Sequence, residues 1–473
     1  MGSAPANGDA EKGMAEKQPR PSSVTVVDRS APDFSTKKGT IDYFETVPDD
    51  EGEIAYRTLK WWQAGMLMLA ETVSLGVLSI PSVFAAIGFV GGILTVLLLG
   101  IFATYTGYNI GLFKRRYPGC NNMADAGMIL GGPIAREFLG GAQIIFLVFI
   151  AASHTLTGQI ALDTIAGKGK LCAVVWSVII AAVSFFCTLP RTFKGIAHLS
   201  IISFISIMAA VLITMIGLGV NGRHGQIVAA ETSKFGPAFL AVTNVIFAYA
   251  GHAAFLQFIS EMSDPGEFNK ALVTLQVADT TVYLVVGIVV YVYVGSDVSS
   301  PAISNLGRTL ARIAYGIAIP TIIIAGVINA SVAAKLTMHR IYNRNGVPSV
   351  HFTHNTVKGW ITWIGIVASI WILGFLLAEV IPFFSDMLSI IASLFASIFT
   401  WAISGIFWLH LNPRSTWFSS PGRSALASVN LFLVVMGLFI MVAGLYASIQ
   451  SISEGYTSGK FGTPFTCTAP GTG

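Results

Sequence analysis

The stretch Ala70–Ser82, AETVSLGVLSIPS, lies in an apolar run long enough to cross a bilayer, yet it carries a carboxylate, three serines, a threonine, a glycine and a proline. At 100° per residue, Glu71, Thr72, Gly76, Ser79 and Ser82 fall within an arc of about 140° on a helix. They form a polar, small-residue stripe on one side. A charged residue at a span centre costs about 2.5–3.5 kcal/mol on insertion scales, so Glu71 is expected to face protein or a water-filled cavity, or to carry a proton. Small residues also let helices pack closely, and serines can bond the backbone four residues earlier. With Glu71 and Pro81 added, the pattern points to a functional break in the helix.

Around this stretch the chain is built for lipid. Hydrophobic residues make up 53% of the 473 residues and charged residues 11%, a balance outside that of soluble globular proteins. Apolar runs of roughly 20 residues recur from Trp61 to the neighbourhood of Gln450. Continuous runs rather than alternation select helices over a barrel. Eleven spans are expected, at 62–86, 89–113, 137–165, 171–189, 197–220, 235–260, 271–294, 310–334, 357–379, 384–409 and 427–450. An odd count puts the termini on opposite sides. Residues 1–60 read as a disordered cytoplasmic tail with no signal peptide ahead of the first span, and 451–473 as a short extracytoplasmic tail. With the N-terminus inside, the cytoplasmic loops hold 13 Lys and Arg and the outer segments 7, in line with the positive-inside rule.

Several classes fall away on composition. The formal charge of +4, with no basic stripe interleaved by aromatics, excludes a nucleic-acid partner. Cys120, Cys172, Cys187 and Cys467 show neither a CxxC pair nor a framework spacing and read as buried small apolar side chains, so metal and redox roles have no support. No nucleophile–base constellation suggests an enzyme. A channel would show rings of charge or a repeated filter sequence, and neither is present.

A second irregular span is TNVIFAYAGHAAFLQFISEMSDP, Thr243–Pro265, where Tyr249, Gly251, His252 and Gln257 interrupt the apolar run. Glycine weakens a helix there, and tyrosine and histidine need partners. The interrupted spans are the first and the sixth, with Gly76 and Gly251 separated by 175 residues. Five spans of separation give the halves opposite topology, the signature of an inverted repeat with a binding site between two broken helices. Half-helix N-termini can hold a carboxylate, and unwound carbonyls an ammonium or a coupling cation. A zwitterionic solute fits that pattern.

These residues also carry a resemblance. ETVSLGVLSIPSVFAAIGFVGGI, from Glu71, resembles the first span of the amino acid/auxin permease family, whose members have a G-x-L-S-x-P core there. FAYAGHAAFLQFISEMSDP resembles that family's sixth span, and SLFASIFTWAISGIFWLHL, Ser393–Leu411, its tenth. The resemblance covers about residues 60–450 and is greatest to the fungal neutral, N-system type. It implies an all-α polytopic membrane protein with a leucine-transporter-like fold of five plus five inverted spans and one extra. It also implies proton- or sodium-coupled uptake of neutral amino acids, aliphatic or aromatic, with no other cofactor. Ser74, Leu75, Gly76, Val77 and Leu78 match the unwound part of span 1, and Ala248 to Ala253 that of span 6. Backbone contacts to the substrate are then expected from both, including Ala250, Gly251 and His252, with Tyr249 and Phe255 shaping the pocket. Phe247 and Phe255 fit a lipid-facing or core place equally well. The span 6 break has no fixed charge, which favours neutral substrates.

For coupling, span 8 contributes GVINASVAAKL with Asn329, Ser331 and Lys335. The Asn and Ser oxygens can ligate sodium, whereas Lys335 can replace a cation or snorkel to the inner surface. The sequon at 329–331 lies inside a span and is expected to be inaccessible. His154, Gln159 and Asp279 are further buried polar candidates, and Glu71 is the first proton-carrier candidate. KRRYPGCNNMADAGMILGGPIAREF, Lys114–Phe138, is expected to anchor span 2 at the cytoplasmic face, with MADAGMILGG as a short interfacial helix or part of an inner gate. The plasma membrane is the expected location, with the vacuolar membrane as the alternative. An amino acid sensor signalling through its tail is the other functional class, and the tail's Ser, Thr and Lys permit action by kinases or a ubiquitin ligase.

Overall fold

A computed structural model describes residues 57–467, apart from 168, 224, 343–348, 382, 459–463 and 466. Most of the expected disordered tail, residues 1–56, lies outside the described residues. Within them the regular structure is helical, with one isolated parallel bridge between Leu59 and Met262.

The first helix, α1 (Trp61–Arg116), has 56 residues. At about 1.5 Å per residue it is far longer than the roughly 30 Å of a hydrocarbon core, so it must turn back. It does so at Gly88, where φ 83° and ψ 170° suit glycine alone. A Cβ there would stand 2.7 Å from Ala230 Cα. The freed amides of Phe89 and Val90 donate to Val228 O and Ala229 O at 2.9 and 3.0 Å. Thus α1 contains both of the first two expected spans.

The next helix, α2 (Met123–Ala166), starts at an Asn122 cap that accepts from the Asp125 amide and bends at Gly131 and Gly132. Its first turns are the expected MADAGMILGG helix, continued into the third span. Then follow α3 (Ala173–Thr188), α4 (Phe193–Val220), α5 (Phe235–Ala248), α6 (His252–Glu261), α7 (Phe268–Val294), α8 (Arg308–Tyr342), α9 (Val350–Thr353), α10 (Val357–Val380) and α11 (Phe384–Ile391). A π-helical stretch, Ala392–Ala402, joins α11 to α12 (Ile403–Leu411), and α13 (Pro421–Thr457) ends the helical series. Among the described residues nine helical stretches are long and apolar enough to cross a membrane. The expected eleven do not appear as eleven separate helices, because α1 holds two of them and α3, at 16 residues, is shorter.

Position in the bundle follows side-chain size and polarity. α1 packs on α7, α5 and α4, and α2 and α4 pack on α8. The outer faces expose large apolar side chains such as Phe186, Ile216, Leu373, Val435 and Val442, a surface suited to lipid. Buried serines, threonines, asparagines and acids gather inside instead.

The cysteine expectation needs correction. Cys172 is joined to Cys467 across 295 residues, tying the segment before α3 to the chain beyond α13. The Ala173 amide also faces Cys467 O at 3.4 Å. Spacing cannot reveal such a pair, because it depends on where the chain returns after its last helix. Cys120 is buried as expected, while Cys187 is exposed. The segment expected as a C-terminal tail begins as helix, since α13 runs on to Thr457. Thiol titration of the denatured, unreduced protein should therefore find two of its four cysteines, and all four after reduction. Four reactive thiols before reduction would contradict the pairing.

Candidate functional site

The sixth expected span is interrupted between α5 and α6 at Tyr249–Gly251. The carbonyls released there find side-chain partners. The Tyr283 hydroxyl of α7 shares its proton between Ala248 O at 2.8 Å and Thr72 O at 2.9 Å. His252 Nδ1 lies 3.2 Å from Tyr249 O, while its Nε2 lies 2.9 Å from both Thr106 Oγ1 and Ala103 O. With a proton on Nε2 the neutral ring donates towards Ala103 O, and with a proton on Nδ1 it donates to Tyr249 O and accepts from Thr106. His252 thus pins the break to the second half of α1.

The first expected span does not break. Ser74 to Leu78 are helical within α1, against the expected unwinding. The hydroxyls that hinted at a break bond back onto the helix: Thr72 Oγ1 donates to Met68 O at 3.0 Å, Ser79 to Gly76 O at 2.8 Å and Ser82 to Ser79 O at 2.7 Å. Pro81 removes one amide without opening the turn. Gly76 serves close packing, since a Cβ there would meet Ala248 Cα at 2.9 Å and the Tyr283 hydroxyl at 3.1 Å.

A small cavity of about 20 Å³ lies where these parts meet. Glu71, Thr72 and Leu75 of α1 line it with Ile150 and His154 of α2, Phe247, Ala250 and Gly251 of the broken span, and Asn329 of α8. Of the expected substrate contacts, Leu75, Ala250 and Gly251 are in this lining. Ser74, Gly76, Val77 and Leu78 are buried in helix packing instead. The Tyr249 side chain points elsewhere, its hydroxyl 3.2 Å from Val96 O and 3.1 Å from Thr280 Oγ1. Phe255 packs on His252 and Phe268, with ring centroids 4.7 and 5.8 Å away. Phe247 takes the pocket position expected of these two rings.

Several buried polar atoms around the cavity lack a hydrogen-bond partner among the described residues: Glu71 Oε2, His154 Nδ1 and Asn329 Oδ1. Asn329 Nδ2 is held by Ala325 O at 3.0 Å. Asp279 of α7, fully buried outside the lining, has Oδ1 3.1 Å from Thr72 Oγ1, whose one proton is shared with Met68 O, while its Oδ2 has no such partner. Gln159 and Ser331 are buried on α2 and α8 away from the lining. Sequence reading missed Thr72 and Tyr283 as the groups that tie α1 and α7 to the break, because the Thr72 contacts to Asp279 and Tyr283 span 207 and 211 residues and the Tyr283 contact to Ala248 spans 35.

Lys335 does not snorkel. Its Nζ lies 2.7 Å from Glu261 Oε1, with both side chains buried. The Glu261 carbonyl accepts from the Thr58 and Leu59 amides at 3.1 and 2.9 Å, and Ser263 N donates to Leu59 O at 2.7 Å. The chain ahead of α1 is thereby fastened to the end of α6, beside α8. Lys335→Met should lower stability by about 3 kcal/mol by breaking this buried ion pair, and the losses of Lys335→Met and Glu261→Gln should combine to less than their sum in the double variant. Thermal melts of the single and double variants check this, and additive losses would contradict it.

A family model described as transmembrane amino acid transporter protein matches residues 57–450. The N amino acid transport system protein of Neurospora crassa is 34% identical over 427 residues, covering 88% of this chain and 90% of that one. A transmembrane transporter of Gibberella moniliformis is 26% identical over 444 residues, covering 91% and 92%. Among solved structures, a Na+-coupled sialic acid symporter in a substrate-bound outward-open state aligns with TM-score 0.56 at 13% identity, over 84% of this chain and 91% of that one. MhsT in complex with L-phenylalanine aligns with TM-score 0.54 at 14% identity, over 85% and 100%. The fold is leucine-transporter-like, and the chain belongs to the transmembrane amino acid transporter protein family, a family of transporters and not of enzymes.

Proposed function

We propose that the chain is a proton-driven symporter of neutral amino acids that works by alternating access around the cavity at the Tyr249–Gly251 break. The cavity itself carries this proposal. Leu75, Ile150 and Phe247 give it apolar walls suited to an apolar side chain, and no lysine or arginine lines it to pair with an acidic one. At about 20 Å³ it is near the size of one water, while ligand pockets usually run to several hundred Å³. An amino acid enters only if α1 and the broken span move against α2 and α8, which is the motion alternating access requires. The Neurospora relative's name, an amino acid transport system protein, supports the same substrate class.

Two acids lie beside Thr72, Glu71 in the cavity lining and Asp279 behind it, and proton coupling rests on Asp279. Neither acid forms an ion pair with a basic side chain among the described residues. A buried carboxylate without a cation is costly, and a proton removes that cost. Asp279, behind Thr72, is placed to hold a proton without occupying the substrate's space. The unpartnered oxygens of Asn329 and Ser331 support sodium as a second reading. A proton entering down about 100 mV and one pH unit could sustain a several-hundredfold gradient of a neutral solute.

The Cys172–Cys467 bond supports an orientation with the α2–α3 connection and the C-terminus outside. Disulfides persist in oxidising compartments, so this agrees with the excess of basic residues in the opposite loops and with a cytoplasmic N-terminus at the plasma membrane.

Reconstituted vesicles should accumulate labelled neutral amino acid when the outside is made acidic, with saturation, loss on adding a protonophore and no change on replacing sodium. Saturable binding without translocation would sink the proposal, and a strict sodium requirement would move the coupling to Asn329 and Ser331. Asp279→Asn should cut pH-driven accumulation about tenfold, the worth of one pH unit of driving force, while exchange of internal for external amino acid persists. Equal loss of both would give Asp279 a structural role.

A further inference from the structure

Resting on the transport reading, one question is how the site holds the substrate's ammonium group. Two sets of backbone carbonyls would be the natural acceptors, and most of them are already engaged. Span 1 is helical through Ser74–Leu78, so its carbonyls are not released by unwinding. In the break, Ala248 O already accepts from Tyr283 and Tyr249 O faces His252. Phe247 O accepts the Ala250 amide at 2.9 Å, and Gly251 O the Ala254 amide at 3.1 Å.

Glu71 supplies what these carbonyls do not. It lines the cavity, and its Oε2 is buried with no hydrogen-bond partner among the described residues. A Cβ added at Gly251 would stand 3.6 Å from that oxygen, so the carboxylate lies directly against the break. His154 is the only other titratable side chain in the lining. A carboxylate that faces a space with apolar walls suits a primary ammonium, through short charge-assisted hydrogen bonds. We propose that Glu71 is the counter-ion of the substrate's α-ammonium group and that the site therefore selects for a free cationic amine ahead of a free carboxylate. Carboxylate-free amines should then occupy the site, whereas acids lacking the amine should hardly compete.

Binding of labelled L-leucine and L-phenylalanine to the purified full-length chain tests this, with isopentylamine and phenethylamine, which lack the carboxylate, and 4-methylpentanoate and 3-phenylpropanoate, which lack the amine, as competitors. In the wild-type protein the amines should compete and the acids should be weak. Glu71→Gln should weaken amino acid binding about thirtyfold and abolish competition by the amines, while the acids change by less than about twofold. Glu71→Asp, which keeps the charge on a shorter arm, should retain the preference for amines and gives a readout should the glutamine variant not fold. Amino acid affinity unchanged in Glu71→Gln, equal loss for amines and acids, or loss of the amine preference in Glu71→Asp would each overturn the assignment. If the wild-type chain binds neither amino acid, the transport reading falls and this inference with it. Sound wild-type binding with an indifferent Glu71→Gln removes the inference alone.

Discussion

A backbone that leaves the helix inside a bilayer must find partners for every amide and carbonyl it releases, because lipid offers none. In this protein that requirement is concentrated at Tyr249–Gly251, and α7 meets much of it. Asp279, Thr280 and Tyr283 lie on one face of α7, and through them the helix holds the Thr72 hydroxyl, the Tyr249 hydroxyl and the carbonyls of Thr72 and Ala248. His252 completes the arrangement by reaching from the start of α6 to α1 at Ala103 and Thr106. The break is thus a fixed piece of structure, clamped from two sides. Its open side faces the cavity.

The same constraint explains why the two irregular spans behave differently. Gly251 sits where the helix stops, whereas Gly76 sits where an intact helix is approached by Ala248. In sequence both look like a glycine among small and polar residues. Hydroxyls that bond back to their own helix, as those of Thr72, Ser79 and Ser82 do, let a span carry polar residues without unwinding. Composition therefore identified the membrane class, and the interruption of span 6 was legible from Tyr249, Gly251 and His252. The state of span 1 was not, because close packing and unwinding use the same residues.

Long-range pairings were also beyond local patterns. Lys335 looks like a snorkelling residue near a helix end, but α8 runs through the middle of the bundle, and the partner that makes burial tolerable, Glu261, is 74 residues away. Cys172 and Cys467 meet only because the chain returns past α13 to the start of α3. Tyr249 and Phe255 were natural pocket residues by position, yet the turn at the break directs their rings into the core and leaves Phe247 at the cavity. Each departure is a matter of side-chain direction, which one sequence does not specify at an irregular backbone.

Fold and family follow from the match across 57–450 and from the structural alignments. The cavity brings together apolar walls from Leu75, Ile150 and Phe247, a break clamped by Tyr283 and His252, and the Glu71 carboxylate. The most direct measurement is an experimentally determined structure with a neutral amino acid bound. The account predicts the ligand between Leu75, Phe247 and Gly251, its ammonium against Glu71, with α1 still helical through Ser74–Leu78. A ligand held by backbone carbonyls of an unwound Ser74–Leu78, with Glu71 turned away, would contradict it.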